Sequence, residues 1–342
     1  MPIALKAHPY YRFDRLLSYN GTYNFLVGSR GEGKTYGAKE RAIKKFLKDG
    51  EQFIYLRRYK TELRSRSTFF ADIARKFPNW DFRIVGMLAQ CAPVATRDEK
   101  KREWRTMGYF VALSTSQANK SIAYPLVTTI IFDEFIIEKG SLHYIPDESN
   151  VFNNFYSTVD RYQDKTRVFF LANSVSIMNP YFLAYDIRPD ESNEFIVRFD
   201  GFVVCHFTNA ESFQSSVYET KFGRFIKGTE YADYAVGNTF SDNNENLLLL
   251  KDSKSKYIFS LETKNGKFSV WNNAFTGEYF IQERIPNGGV LFTLEAERMS
   301  EDKIYITFND RPLQHLRTAF RNAKVMFDKP ATRNTFVEIF KR

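Results

Sequence analysis

The sequence predicts a doubly wound α/β sheet followed by a smaller α+β domain. Three observations lead there. Up to about residue 205, continuous apolar strand-like runs alternate with amphipathic stretches. A glycine-rich loop at 28–35 lies between one such run and a helix, and from residue 257 onward the chain reads as a meander. Continuous apolar runs suit parallel strands, because crossover helices cover both faces of the sheet.

The strand-like runs are 23–27, 53–56, 107–113, 127–132 and 168–171. Between the first two, 34–48 places Ala38, Ala42, Ile43, Phe46 and Leu47 on one helical stripe, with Gly50 as its stop. The stretch 61–77 predicts a second helix, with Leu63, Phe69, Phe70, Ile73 and Phe77 inward and Pro78 ending it. The polar, mixed stretch 211–228 reads as a linker subdomain. Beyond it, 257–263, an Asn265-Gly266 turn, 267–271 and 278–283 read as a hairpin extended by a third strand. Helical patterning covers 313–327 and 335–340. The expected division is a first domain at 1–207 that holds the glycine-rich loop, a linker at 208–228 and a C-terminal domain at 229–342.

A chain of 342 residues accommodates two domains, and 43% hydrophobic with 17% aromatic content excludes a disordered chain. The net charge of +9 favours a polyanionic partner such as nucleic acid, or describes a merely basic protein. Cys91 and Cys205 stand far apart, and His8, His143, His206 and His315 are scattered. Neither a disulfide framework nor a zinc site is expected from them. No apolar signal segment opens the chain and no run approaches a membrane span, so a soluble intracellular protein is expected.

Residues Gly28-Ser29-Arg30-Gly31-Glu32-Gly33-Lys34-Thr35 match G-x-x-x-x-G-K-[ST] in full. An apolar strand leads in and an amphipathic helix leads out, the context that gives the motif its meaning. Glycines let backbone N–H groups converge on phosphate oxygens, and the helix N-terminus adds its positive dipole end. Lys34 is expected to bridge the β- and γ-phosphates of ATP, and the Thr35 hydroxyl to bind Mg²⁺.

The run 127–132 leads directly into Asp133-Glu134. An acid ending a buried parallel strand lies at the carboxyl edge of the sheet, beside the phosphate loop. Asp133 is the expected magnesium carboxylate and Glu134 the group that activates the attacking water. The run 168–171 delivers Asn173 to the same edge, as a polar sensor of the water or γ-phosphate or as an ordinary turn residue. Candidates for a cation neutralising transition-state charge are Arg57, Arg58, Lys60, Arg161 and Arg167. The polar stretch 114–121 is either a loop that touches a phosphate backbone through Lys120 or a plain surface loop. Tyr10, Tyr11 and Phe13 are candidates to stack on adenine, or else core aromatics.

The chain also resembles the DNA-packaging ATPases of phi-29-type bacteriophages. The likeness runs through Asn24-Phe25-Leu26-Val27-Gly28, Gly50-Glu51-Gln52-Phe53-Ile54-Tyr55 with Arg57-Arg58-Tyr59-Lys60, and Ile131-Phe132-Asp133-Glu134-Phe135-Ile136. It continues in Tyr144-Ile145-Pro146, Asn179-Pro180-Tyr181-Phe182, Phe222-Gly223-Arg224 and Gly228-Thr229-Glu230-Tyr231. The resemblance implies an additional-strand (RecA/ASCE-like) P-loop NTPase working as a homomeric ring, a pentamer in this family. That ring acts in the host cytoplasm, transiently at the portal vertex of a procapsid, and drives double-stranded DNA inward through the portal (connector) protein. By position, Arg161 matches the family's trans-acting arginine finger. Lys60 matches a basic residue that contacts the neighbouring subunit's nucleotide, and Lys120 matches a pore-loop lysine that grips DNA. Some relatives use a packaging RNA, a point this sequence leaves open.

The family's second domain resembles an RNase H-like nuclease that has lost its catalytic acids. Here 257–261 carries no acid, although Glu262 and Asp252 lie close by. No cleavage is expected, and Lys251, Lys254, Lys256 and Lys267 are expected to touch nucleic acid or the portal instead. Two rival readings remain at this point. One is a helicase-type translocase; the other is a nucleotide-switched assembly protein without sustained turnover.

Overall fold

Residues 11–342 are described by the computed structural model, except 120–121, 138–142, 175–178, 188–192, 209–210, 230–231, 233–235, 237–250, 264–265, 287, 323, 329–331, 333–335 and 337–342. The chain divides into two compact units, Met1–Val175 with Ala184–Phe240, and Ser176–Leu183 with Ser241–Arg342.

The first unit is built on strands β1 (Tyr23–Gly28), β2 (Gln52–Arg57), β3 (Trp80–Val85), β4 (Leu88–Pro93), β5 (Arg105–Ala112), β6 (Val127–Asp133), β7 (Arg167–Asn173), β8 (Phe195–Arg198) and β9 (Val203–Phe207). Their order across the sheet is β3-β4-β5-β2-β6-β7-β1-β9-β8. The six central strands are parallel, and antiparallel pairs close both edges. Every residue of β1 is buried, as the continuous apolar run predicts. Strand β7 lies between β1 and β6, so the strand ending at the glycine-rich loop and the strand ending at Asp133 are not neighbours.

Helices α1 (Asp14–Ser18), α2 (Lys34–Asp49), α3 (Glu148–Asp160), α5 (Glu211–Tyr218) and α6 (Lys221–Ile226) belong to this unit, whereas α4 (Pro180–Ala184) falls, but for Ala184, in the second. The stripe Ala38, Ala42, Ile43 and Phe46 of α2 is buried in the core with Leu26, Phe53 and Ile131. Gly50 ends α2 at φ +73° while its N–H bonds the Phe46 carbonyl. A second, aromatic cluster includes Phe25 and Phe170, stacked 4.1 Å apart, with Phe132, Phe135 and Phe152 around them. Cys91 and Cys205 are both buried free thiols.

Two expectations in this unit are corrected, one of a helix and one of a loop. The stretch 61–77 is no α-helix but two 3-10 segments, Lys60–Thr68 and Ala74–Lys76. Leu63, Phe69, Phe70 and Ile73 are buried as expected, yet hydroxyls compete for the backbone: Thr68 Oγ1 donates to the Ser65 carbonyl at 2.9 Å. Likewise 113–119 is a 3-10 helix rather than a loop, with Ser116 Oγ turned back to the Leu113 carbonyl. The stretch 211–228 forms α5 and α6 within the first unit.

The second unit carries β10 (Lys256–Thr263), β11 (Gly266–Asn273), β12 (Glu278–Gln282), β13 (Leu291–Thr293), β14 (Lys303–Tyr305), β15 (Val325–Phe327) and helix α7 (Arg311–Arg321). The sheet order is β14-β13-β10-β11-β12-β15. The first three strands form the expected antiparallel meander, and β13 runs parallel to β10. The tail 313–327 is not helical throughout. The helix stops at Arg321, and Val325-Met326-Phe327 pairs parallel with β12, as β-branched and aromatic residues favour. Within 335–340, only Phe336 is among the described residues, and it is buried against Phe268 and Phe327. Among the described residues no helix is long and apolar enough to cross a membrane.

Candidate active site

The loop 28–35 has the shape its glycines permit. Gly31 and Gly33 both adopt φ +84°, a left-handed backbone that side chains disfavour. At Gly28 a Cβ would lie 2.0 Å from Thr208 Oγ1 and 2.4 Å from Glu32 Oε2, so only glycine fits. Those two atoms brace the loop from behind: Thr208 Oγ1 donates to Glu32 Oε2 at 2.8 Å. Burial pushes the Glu32 carboxyl up, against the opposing charge of Lys34. Ser29 is buried and its hydroxyl donates to the Val236 carbonyl at 3.0 Å, whereas Arg30 lies exposed at the tip.

Gly33 is the N-cap of α2, so Lys34 and Thr35 open the helix. Lys34 Nζ donates to the carbonyls of Gly28 at 2.9 Å and Ser29 at 2.6 Å, and to Asn173 Oδ1 at 3.3 Å. Asn173 reaches it because parallel register sets Gly28 beside Asn173. Thr35 Oγ1 donates to Asp133 Oδ1 at 2.9 Å, although the two residues stand 98 positions apart. Tyr55, from β2, donates its hydroxyl to Asp133 Oδ2 at 2.7 Å. Burial first, and then the Asp133 charge, push the Tyr55 phenol well up, so it stays a donor at neutral pH.

The donor set fits a nucleotide and a hard cation. A hydroxyl and a carboxylate converge at Thr35 and Asp133, oxygen ligands of the kind Mg²⁺ takes with phosphate oxygens. The left-handed glycines and the start of a 16-residue helix provide backbone N–H groups for the phosphates. Glu134, in the left-handed region at φ +56°, projects an exposed carboxylate from the end of β6. It pairs with Arg57, which also donates to Glu62 Oε1 at 2.9 Å. Burial pulls the Arg57 guanidinium down, but the carboxylates around it win and leave it raised.

Of the other candidate cations, Arg58 is structural. It is fully buried, donates from Nε to Glu148 at 2.7 Å and stacks over Tyr144 with 4.9 Å to the ring centroid. Arg167 bonds Asn20. Lys60 is exposed just beyond β2, at the same sheet edge as Glu134. Arg161 is exposed at the C-cap of α3, ahead of β7 and therefore at the opposite edge. Lys120 and Tyr10 lie outside the described residues. Phe13 is a core aromatic, edge-on to Phe169, and Tyr11 bonds His206 Nδ1 through its hydroxyl at 2.8 Å. Tyr55 and Thr208 were not expected from the sequence; the continuous apolar run of β2 marks Tyr55 only as one more strand residue.

In the second unit, Glu262 is buried among cations, with Lys303 at 2.8 Å, Lys267 at 3.4 Å and Arg298 at 3.8 Å. Asp252 accepts from Ser255 and Asn273. Lys251 lies over the Trp271 ring at 4.2 Å. Among the described residues no three His, Cys, Asp or Glu side chains gather as a metal site.

Comparison with known proteins covers nearly the whole chain. The family of podovirus DNA encapsidation proteins (Gp16) matches residues 5–342. The chain belongs to that family. The DNA packaging protein of Bacillus phage phi29 is 34% identical to this Gp16-family chain over 336 residues, covering 97% of each. Among solved structures, the bacteriophage phi-29 viral genome packaging motor assembly aligns with a TM-score of 0.59 at 34% identity, covering 97% of this chain and 99% of that one. The crystal structure of the N-terminal domain of the phi29 DNA packaging ATPase aligns with a TM-score of 0.53 at 38% identity, over 60% of this chain and 98% of that one.

Proposed function

We propose that this Gp16-family chain is an ATP-hydrolysing motor that moves double-stranded viral DNA into a procapsid through the portal vertex, working as a homomeric ring in the host cytoplasm. The observation that carries the reading is the contact of Thr35 Oγ1 with Asp133 Oδ1, 2.9 Å, at the mouth of the glycine loop. It joins the two oxygens needed beside a triphosphate, and the family supplies the DNA-packaging context. The position of β7 between β1 and β6 supports the additional-strand class.

Bound Mg²⁺ would screen the phosphate charge there. Lys34 leaves the Gly28 and Ser29 carbonyls for phosphate oxygens, the backbone N–H groups of 28–35 orient the chain of phosphates, and Asn173 senses the terminal one. Glu134, released from Arg57, accepts a proton from the attacking water. Arg161 supports a role only in a neighbour's site, since β7 separates it from its own phosphate loop by about 20 Å of strand. Lys60 and Lys120 are assigned to the neighbour's nucleotide and to DNA by family position alone.

In the second unit, three antiparallel strands followed by three that run parallel to the first, β13, β14 and β15, support an RNase H-like fold. Glu262, neutralised by three cations, supports the loss of nuclease chemistry. The test is DNA-stimulated ATP hydrolysis by the full chain with Mg²⁺. Lys34→Ala and Glu134→Gln should each lower kcat by at least about 100-fold, the latter with ATP binding retained. Unchanged turnover in Lys34→Ala would overturn the reading.

A further inference from the structure

The segment after α3 is held in an unusual way. Asp160, only 2% exposed, accepts four backbone N–H bonds: from Gln163 at 2.9 Å, Asp164 at 3.0 Å, Lys165 at 3.1 Å and Thr166 at 2.9 Å. Burial pushes its carboxyl up, and the bonds from Thr166, Asp164 and Lys165 more than offset that, leaving it lowered. Around this one carboxylate the chain turns through three non-glycine residues in the left-handed region, Arg161 at φ +52°, Tyr162 at +57° and Asp164 at +53°. Such backbone persists only where its surroundings over-determine it. The far end is tied as well, through Thr166 Oγ1 to the Val127 carbonyl and Lys165 Nζ to the Pro125 carbonyl.

What this turn presents is a cation and an aromatic ring. Arg161 is exposed, and its guanidinium has no hydrogen-bond or ion-pair partner among the described residues. Tyr162 is 89% exposed. Parallel register places Leu126, Phe199 and Phe202, also exposed, at this same edge, since they precede β6 and β9 as the turn precedes β7. The phosphate loop lies at the other edge. Head-to-tail contacts that generate rings join two different surfaces of identical subunits, and the two ends of one parallel sheet are such surfaces.

We propose that Asp160 is a positioning residue for catalysis in a neighbouring copy: its carboxylate holds the 161–166 turn in one preset shape, so that Arg161 reaches the next subunit's triphosphate without an ordering step and Tyr162 seats against that subunit. The inference rests on the reading of Arg161 as a cation acting in trans. A rigid presenting turn matters because misplacing a catalytic group by about 1 Å can cost 100-fold in rate.

The experiment measures DNA-stimulated ATPase of full-length Asp160→Asn and Arg161→Ala, each alone and each mixed with Glu134→Gln chains. In Asp160→Asn the amide N–H₂ faces backbone donors and the turn loosens. Its kcat should fall on the order of 10-fold or more, with KM for ATP within about twofold of the parent. Mixing should restore activity, because Glu134→Gln subunits carry an intact turn and Asp160→Asn subunits an intact phosphate site. A chain merely damaged in its fold would not recover on mixing. If Arg161→Ala alone is fully active, or stays inactive on mixing, the trans reading fails. If Arg161→Ala is impaired and rescued while Asp160→Asn is fully active, or is impaired without rescue, the positioning role fails and the trans reading stands.

Discussion

The Tyr55 hydroxyl donates to Oδ2 of Asp133 while Thr35 occupies Oδ1, so the carboxylate is fixed from both sides. On the proposed reading of Asp133 as a magnesium ligand, two such bonds orient its carboxylate toward the metal. Tyr55→Phe removes one hydroxyl from a ring packed on Phe69 and Phe110, which leaves the core intact. Loss of such a supporting hydrogen bond typically costs 10- to 100-fold in metal affinity. The expected outcome is a rise of about 10-fold or more in the Mg²⁺ concentration for half-maximal ATPase, at an unchanged melting temperature. Identical Mg²⁺ titrations for the two proteins would remove Tyr55 from the site.

The pairing of Arg57 with Glu134 carries a different expectation. If Glu134 is the base proposed above, its ion pair with Arg57, which Glu62 also holds, keeps its carboxylate turned away from an attacking water. Arg57→Gln should therefore raise ATP turnover without DNA and reduce the ratio of stimulated to basal rate by several-fold, roughly the 10²-fold scale of general-base catalysis setting its ceiling. Rates measured with and without duplex DNA decide it. A variant with the parent's ratio would show that the pair does not restrain Glu134.

Legibility followed the physics of each residue. The strand into the glycine-rich loop, the helix after it and the strand ending at Asp133 were readable because glycine, helical spacing and an apolar run ending in an acid leave local marks. The hairpin β3–β4 was missed because its residues alternate weakly with charges, and only Gly86, at φ +59°, marks the turn. The 3-10 segments at 60–76 carry an apolar pattern a helix would also carry; the hydroxyls that tighten them act through hydrogen bonds that spacing does not show. Tyr55 and Thr208 touch the site only through sheet register and chain return, which link residues 78 and 176 positions apart.

Arg58 and Glu148 form an ion pair with side chains 1% and 0% exposed. Arg58 also donates to the Phe135 carbonyl, directly behind Glu134, and Glu148 accepts from the Ile145 N–H at 2.8 Å. Removing one partner strands a buried charge, at a cost of about 3–5 kcal/mol. Arg58→Met and Glu148→Gln should each lower the unfolding free energy of the first unit by that order, and the double variant should lose less than the sum of the two. Denaturant unfolding checks it; additive losses would mean the two charges do not interact. ATPase should fall with stability, because the same guanidinium anchors the chain next to Glu134.

His206 sets a pH window for stability. Burial pushes its imidazole down to about 4, even though Glu194 pulls the other way, and its ring is stacked on Phe195 4.0 Å away. A group that binds a proton more readily when unfolded makes the folded state lose stability as pH falls. The loss begins near the ordinary histidine value of about 6.5 and is complete near 4, below which both states are protonated. The full effect is on the order of 3 kcal/mol. His206→Gln keeps a polar partner for Tyr11 and removes the titration. Between pH 7 and 4.5 the parent's melting temperature should therefore fall more steeply than the variant's. Parallel pH profiles would show that the imidazole is protonated in the folded chain as readily as in the unfolded one.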